Sequence, residues 1–534
     1  MRWLLLLFAL LVAFAIAPSG ARAQQGLWSS IAGPTPTPAP TPTGTIKHIV
    51  IVIQENRSVD NLFAGLSVPG AHTTTTVAGS SCGATVLTAY PHLGDEPWDL
   101  NHNHSGFVNV FDGGANDGWG CGTGGTQAPV YYVQDNHVGC TPGSTCTNVS
   151  RYQTMALQFT LADEVKQTNE GPSTAAHHYL VAGQCGVPIS CANQFGSCAG
   201  GGSGNTVDLR TSYPGTPLGS ESACVDYDTI WDDMTLSHFN STYYAPTSVS
   251  NFWFPQTQLT RFCVLVSGNC TYTTVGNASI VHPETQVVTD LTNGTLSCAL
   301  CYVAPSAAES DHANEGTNGA GPTYVASIVN AWGGNATYFH NTVVIVVWDD
   351  WGGWYDHVVP THPTNGSGTL SPGGNTDPYE FGYRVPLLFM SAYNNSPGTP
   401  YHTVTDSAGG ILAYVETTFG LGCTPQCTGT LRANGGYYHA GDCTIGMGQR
   451  DCYAADNLTA IYNTANSPAT FTMVYMPWQE RVVGAAVASD NGASLLNSID
   501  PNERLLGVEA LAYAHTKGWD TLAWRSRPVD ADGQ

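Results

Sequence analysis

The sequence predicts an α/β fold: a central, mostly parallel sheet flanked by helices, with Cys-rich loop insertions. Three observations carry that prediction. Residues 343–347, inside TVVIVVWDDWGGWYDH, form an unbroken apolar, β-branched run. Apolar residues on both faces describe a strand buried in a parallel sheet, not an amphipathic edge. Residues 46–53, IKHIVIVI, have the same character about 300 positions earlier. Residues 324–332, YVASIVNAW, read as an amphipathic helix that leads into the later strand.

Both strands end in hard oxygen ligands. The first runs into Gln54-Glu55-Asn56-Arg57-Ser58, the second into Asp349-Asp350 and then Gly352-Gly353. In open α/β sheets, ligands bind beyond the carboxyl ends of the strands. Carboxylates there need a cation or strong donors, because burying them unpaired is costly. An isolated Asp-Asp more often caps a strand or opens a turn; the second strand with a similar ending favours a site. Glu55, Asn56, Asp349 and Asp350 make an oxygen-rich set suited to one divalent cation, with Ca, Zn, Mg and Mn all open. Arg57 is placed to orient Glu55 or to meet a phosphate; a plain salt bridge is the equal alternative.

IVIVIQENRSVDNLFAG (49–65) and VIVVWDDWGGWYDHVVP (344–360) resemble the bacterial phosphoesterase family that contains secreted phospholipases C and an acid phosphatase. The resemblance implies an alkaline-phosphatase-like α/β fold and a metal-dependent phosphoric ester hydrolase.

Taken in order, residues 1–23 have the composition of a signal peptide. Arg2 supplies positive charge, residues 4–17 an apolar core, and Ala21-Arg22-Ala23 an A-x-A cleavage site. That core is short for a span of about 20 residues, and no other stretch is long and apolar enough to cross a membrane. A secreted or periplasmic protein with no transmembrane segment in the mature chain is expected. Residues 24–45 follow as a Pro/Thr-rich linker, including GPTPTPAPTPTGT, which favours extended geometry and buries no core.

Composition agrees with export. All 16 Cys follow the signal segment, an even number consistent with disulfides outside the cytosol. Cys140/Cys146, Cys263/Cys270 and Cys423/Cys427 are spaced for local loops. Cys298-Ala-Leu-Cys301 has redox or zinc spacing but no second C-x-x-C, so it reads as structural. Without Arg2 and Arg22 the basic residues number 14 against 40 acidic ones, a net charge of −26. Such a chain repels phosphate backbones, so no nucleic-acid partner is expected. It also offers no basic patch to anionic lipid.

Residues 46–465 are expected to form the catalytic domain, with an insertion at about 185–300 that covers the site and sets specificity. In the Gly-rich stretch after the first strand, Asp99-Leu-Asn-His102-Asn-His104 is similar to an Asp/His segment of the family, which implies His104 at the substrate. Residues 159–167 have helical spacing. Gly171-Pro172 breaks the chain, and Ser173 then starts a helix. A Ser there is a favoured cap. The same geometry also offers backbone N–H groups to a phosphate, and a hydroxyl on a metal is activated for attack. The family's G-P-[S/T]-x-P-x-x-x-Y matches at Gly171, Pro172, Ser173 and Tyr179, with Ala175 in place of Pro. It implies Ser173 as nucleophile and fifth metal ligand; Thr174 is the competing hydroxyl. His177 falls where relatives carry Arg or His, which implies a phosphate contact.

Residues 287–291 read as a short strand. Ser310-Asp311-His312 matches the family's S-D-H, which implies His312 near the phosphate as general acid or neutral donor. His357, in Tyr355-Asp356-His357, reads as a supporting residue. Phe381-Gly-Tyr-Arg384-Val-Pro386 looks like the family's G-x-R-V-P strand, with Arg384 behind the ligands. Residues 407–421 look like its following helix. Residues 466–534 form a C-terminal extension with a strand-like segment at 471–475; it does not resemble the β-rich repeats of phospholipase C relatives.

The expected activity is phospholipase C-like hydrolysis of phosphodiesters, with a phosphate ester of the phospholipid class as substrate. The alternatives are a secreted acid phosphatase acting on monoesters and a non-catalytic binding protein on the same scaffold.

Overall fold

The computed structural model describes, with short internal breaks, residues 44–120, 131–133, 149–183, 206–222, 229–316, 319–360, 381–421 and 458–474. The expected signal segment, nearly all of the expected linker, Gly171-Pro172, Cys140/Cys146, Cys423/Cys427 and residues beyond 474 lie outside the described residues.

Seven strands form the main sheet: β1 (His48–Gln54), β2 (Thr160–Ala162), β3 (Ser241–Tyr244), β4 (Val281–His282), β5 (Leu300–Val303), β6 (Thr342–Trp348) and β7 (Leu387–Met390). Their spatial order is β4-β3-β5-β1-β6-β7-β2. The five from β4 to β6 run parallel, and β7 is antiparallel to both its neighbours. The expected α/β fold with a mostly parallel sheet is therefore present. β6 is buried throughout, and β1 everywhere except His48. These are the two runs with no polar face, so they take the centre, where helices cover both sides. Each fully buried Val or Ile contributes about 1.5–3 kcal/mol relative to exposure.

The helices are α1 (Val59–Phe63), α2 (His104–Phe111), α3 (Ser150–Gln158), α4 (Ser173–Ala182), α5 (Ile230–Leu236), α6 (Gln286–Asn293), α7 (Ala320–Gly334), α8 (Ala336–Phe339) and α9 (Ser407–Phe419). α4 packs on α9, and α7 packs on α6 and β6. Among the described residues, no helix is long and apolar enough to cross a membrane.

Three local expectations are corrected. The helix expected over 159–167 ends at Gln158, and β2 follows, pairing Leu161 with Leu388. The apolar spacing there fits either element, and pairing with β7 satisfies the backbone. Residues 287–291 are helical within α6. Val287, Val288 and Leu291 bury one face, and Gly294, at φ 75°, closes the helix. Residues 471–474 pair with no strand; the side chain of Asn330 binds Val474 through both backbone groups, at 2.8 and 3.1 Å.

The stretch 185–300 supplies β3, β4, α5 and α6, so its described parts build one edge of the main sheet. Cys298 and Cys301 form a disulfide at the start of β5, in line with the structural reading of that motif.

Candidate active site

Register brings the two strand-end motifs together. β1 and β6 are adjacent and parallel, from His48 opposite Thr342 to Gln54 opposite Trp348. Both strands stop at the same level, so Glu55-Asn56 and Asp349-Asp350 emerge side by side. The Asp349 N–H donates to the Gln54 carbonyl at 2.9 Å, and the Asn56 N–H donates to Asp349 Oδ1 at 2.9 Å. Asn56 sits at φ 57°, a left-handed conformation that Asn tolerates better than most side chains. The Gly352 N–H holds Asp350 Oδ1 at 2.6 Å. Gly352 has φ 64°, and a Cβ there would collide with the Asn56 carbonyl oxygen.

Helix α4 delivers the hydroxyl. Ser173 Oγ lies 2.8 Å from Asp350 Oδ2 and 3.0 Å from Asn56 Oδ1, two acceptors sharing its one proton. The competing Thr174 hydroxyl has no hydrogen-bond partner and makes none of these contacts. His177 lies one turn beyond Ser173 on the same helix face. Its Nε2 is 2.8 Å from Glu55 Oε1 and 3.6 Å from Asp349 Oδ2.

All of these side chains are buried. Burial is the first cause that pushes the Glu55, Asp349 and Asp350 carboxyls upward. For Asp350 the result is about 7, and for Glu55 and Asp349 the neighbouring acids add to it. Burial pushes His177 down to about 4, partly offset by Asp349. Glu55 Oε2, Asp349 Oδ2 and His177 Nδ1 are buried without a hydrogen-bond partner. Single ligand atoms of Glu55, His177 and Asp349 lie within 4.8 Å of one another. Three carboxylates and an amide oxygen, with orphan oxygens and, among the described residues, no Lys or Arg bonded to them, are a donor set that fits a divalent cation.

The strand on the other side of β1 leads to His312. After β5 the chain reaches Asp311, whose N–H donates to Gln54 Oε1 at 2.9 Å. His312 Nδ1 is 2.7 Å from the Ala313 carbonyl oxygen, so Nδ1 carries the proton and Nε2 the lone pair. Burial, with His102 adding to it, pushes its pKa down to about 3. The imidazole is therefore neutral in the free protein.

His102 was not singled out from the sequence, although it stands in the quoted Asp/His stretch. Its Nδ1 donates to the Leu100 carbonyl at 2.7 Å, and its Nε2 accepts from Asn56 Nδ2 at 3.1 Å. That bond turns Asn56 Oδ1 toward Ser173. Asp99, His102 and His312 have ligand atoms within 4.8 Å of one another. His104 opens α2 after the Asn103 cap; its side chain lies outside what is described.

Arg57 and His177, both expected near a phosphate, each have protein partners here. Arg57 Nη1 and Nη2 hold Glu96 at 2.7 and 2.8 Å, and Nε and Nη2 hold the Asp311 carbonyl at 2.9 and 2.6 Å. Every guanidinium nitrogen is engaged, so Arg57 forms the plain ion pair rather than a phosphate clamp. His177 faces the carboxylates, because its place on α4 aims it at Glu55. Arg384, expected behind the ligands, has its contacts with Asp356 and the loops of His72 and Asp163. It binds Asp356 through Nε and Nη2 at 2.9 and 3.1 Å, and His357 pairs with Asp60 at 2.6 Å.

The sequence model of the Phosphoesterase family matches residues 46–422. Phospholipase C B of Mycobacterium tuberculosis (strain CDC 1551 / Oshkosh) is 25% identical over 454 residues, covering 76% of this chain and 80% of that protein. Hemolytic phospholipase C of Pseudomonas aeruginosa is 25% identical over 412 residues, covering 70% of this chain and 53% of that protein. A solved protein in the alkaline phosphatase superfamily from Vibrio parahaemolyticus aligns at 10% identity with a TM-score of 0.31, covering 72% of this chain and 68% of its own. With the match spanning most of the chain, the protein belongs to the Phosphoesterase family and is a hydrolase of phosphoric esters.

Proposed function

We propose that the chain is an exported, metal-dependent phosphodiesterase of phospholipase C type, with Ser173 as nucleophile. The observation that carries this is the position of Ser173 Oγ, 2.8 Å from Asp350 Oδ2 beside the orphan oxygens of Glu55 and Asp349. Diester chemistry is favoured by relatives described as phospholipases C. Export is favoured by the signal-like residues 1–23 and the oxidised Cys298–Cys301 pair.

Glu55, Asn56, Ser173, Asp349 and Asp350 would hold one divalent cation. When bound, it supplies a positive charge that favours the Ser173 alkoxide and offsets charge building on the phosphate. Ser173 Oγ attacks phosphorus and forms the Oγ–P bond as the bond to the leaving oxygen breaks. Asp350 Oδ2 is the nearest oxygen to receive the hydroxyl proton. Asn56, held by His102, keeps Oγ aimed. A bound phosphate favours the imidazolium of His312, which then donates its Nε2 proton to the leaving oxygen. Water attacks the phosphoryl-serine and releases phosphate or its monoester.

The test is release of product by the purified protein from p-nitrophenylphosphorylcholine and from p-nitrophenyl phosphate, with and without chelator. Diester cleavage lost on chelation and restored by a divalent cation is expected. Turnover of the monoester alone would move the assignment to an acid phosphatase. Metal binding with no turnover of either ester would leave a non-catalytic protein and overturn the proposal.

A further inference from the structure

A second group of ligating side chains lies where β2 ends, among residues that make no catalytic contact. Three segments distant in sequence meet there. His72 follows α1, Asp163 and Glu164 follow β2, and His402 follows the turn after β7. Asp163 Oδ1 lies 2.6 Å from His402 Nδ1, and Asp163 Oδ2 accepts the His72 backbone N–H at 2.6 Å. Glu164 Oε1 lies 2.8 Å from His72 Nδ1. The two imidazoles stack at 3.8 Å between centroids, 3° from parallel. Single ligand atoms of His72, Asp163 and His402 lie within 4.8 Å of one another. The Asp163 side chain is fully buried, whereas those of His72 and His402 are 51% and 37% exposed, so an ion has access from solvent.

Among the described residues, carboxylates around the group outnumber fixed cations. Asp163 and Glu164 stand beside Arg384, whose Nη1 is 3.5 Å from Glu164 Oε1. Arg384 is already held by Asp356 at 2.9 Å and approached by Asp60 at 3.6 Å. Lys166 is the other fixed cation that interacts with Glu164. Among the described residues, Asp60, Asp163, Glu164 and Asp356 thus share Arg384 and Lys166, with His357 also against Asp60.

We propose that His72, Asp163 and His402, with Glu164, form a second divalent-cation site. Two imidazoles with carboxylate oxygens suit a borderline ion such as zinc better than calcium or magnesium. Both histidine–carboxylate contacts now hold a proton on Nδ1. An entering ion displaces those protons to Nε2 or to solvent and takes the Nδ1 lone pairs. The 2.6 and 2.8 Å contacts then widen to about 3.3 Å, the separation of two ligands bound at roughly 2.0–2.1 Å to a tetrahedral ion. Parallel stacked rings cannot both aim in-plane lone pairs at one ion, so binding turns at least one half-exposed ring. The bound ion would pin the loop carrying His72 and the loop carrying His402 to the end of β2.

The experiment uses the full chain, stripped with chelator, and zinc alone as the probe. Zinc bound at equilibrium is counted for the wild type, for H72A/H402A and for D350N. H72A/H402A is expected to bind one zinc fewer per chain than the wild type and to keep diester or monoester turnover once its catalytic cation is restored. D350N, impaired at the catalytic cluster, is expected to keep that zinc. Equal zinc stoichiometry in wild type and H72A/H402A would overturn the proposal. H72Q/H402Q replaces the alanine variant if the latter fails to fold by circular dichroism. Cobalt added to D350N gives a readout that needs no histidine variant: one equivalent of visible d–d absorbance is expected, and its absence would overturn the proposal.

Discussion

Asp350→Asn separates the two demands on the carboxylate cluster. Asp350 is fully buried, and burial raises its carboxyl from 3.8 to about 7. An unfolded chain releases that proton near 3.8, and the folded chain holds it to about 7. Between those values the folded state binds more protons, so metal-free stability falls as pH rises through the window. At about 1.4 kcal/mol per tenfold in the acid constant, the accumulated cost above pH 7 is roughly 4 kcal/mol. Asparagine removes this cost. It keeps an acceptor for the Gly352 N–H and presents an amide to Ser173 Oγ, which accepts as readily as it donates. Metal-free Asp350→Asn should therefore melt above the metal-free wild type at pH 8. For a domain the length of the family match, residues 46–422, at about 2 cal/mol/K per residue, 4 kcal/mol is about 5 °C. The gain should vanish near pH 4. Saturating divalent cation should reverse the order, because the variant has lost a charged ligand. Thermal melts at pH 4 and pH 8, in chelator and in metal, measure all four states. A variant less stable than wild type in chelator at pH 8, or a difference independent of pH, would refute the reasoning.

The other expectations concern single contacts. Ser173→Ala should lower turnover by at least about 10³-fold, while costing only about 1 kcal/mol of stability from the lost hydroxyl bonds; rates and melts together check this. Arg57→Ala should destabilise by about 3–5 kcal/mol, because it leaves Glu96 buried and unpaired, yet spare turnover per folded molecule; urea unfolding with active-site titration decides it. Gly352→Ala should weaken both stability and metal affinity, since its φ of 64° and the Asn56 carbonyl leave no place for a methyl; chelator competition and melts report both.

Much of the site was legible because it is local in sequence. QENRS and WDDWGG each put their ligands directly after a β-branched run, and the chemistry of a strand end follows from that order. Ser173 was legible as a helix-start hydroxyl, but not its role, since caps and nucleophiles share that position. Where the residues left two readings open, the reason was also physical. Arg57 sits beside the ligands in sequence, yet its partner Glu96 comes from another segment. Residues 159–167 and 287–291 carry apolar spacings that suit more than one element, and only their neighbours choose between them.

By itself, then, the sequence determined the two central strands, their polar endings and a family of phosphoric ester hydrolases. The tertiary structure decided what those endings meet. The parallel register of β1 with β6 sets Asn56 against Asp349, and α4 brings Ser173 within 2.8 Å of Asp350 from 177 residues away. His102 turns the Asn56 amide, and Glu96 holds Arg57 away from the cluster. Burial then raises all three acids at once, a shift that depends on surroundings no single stretch of chain contains.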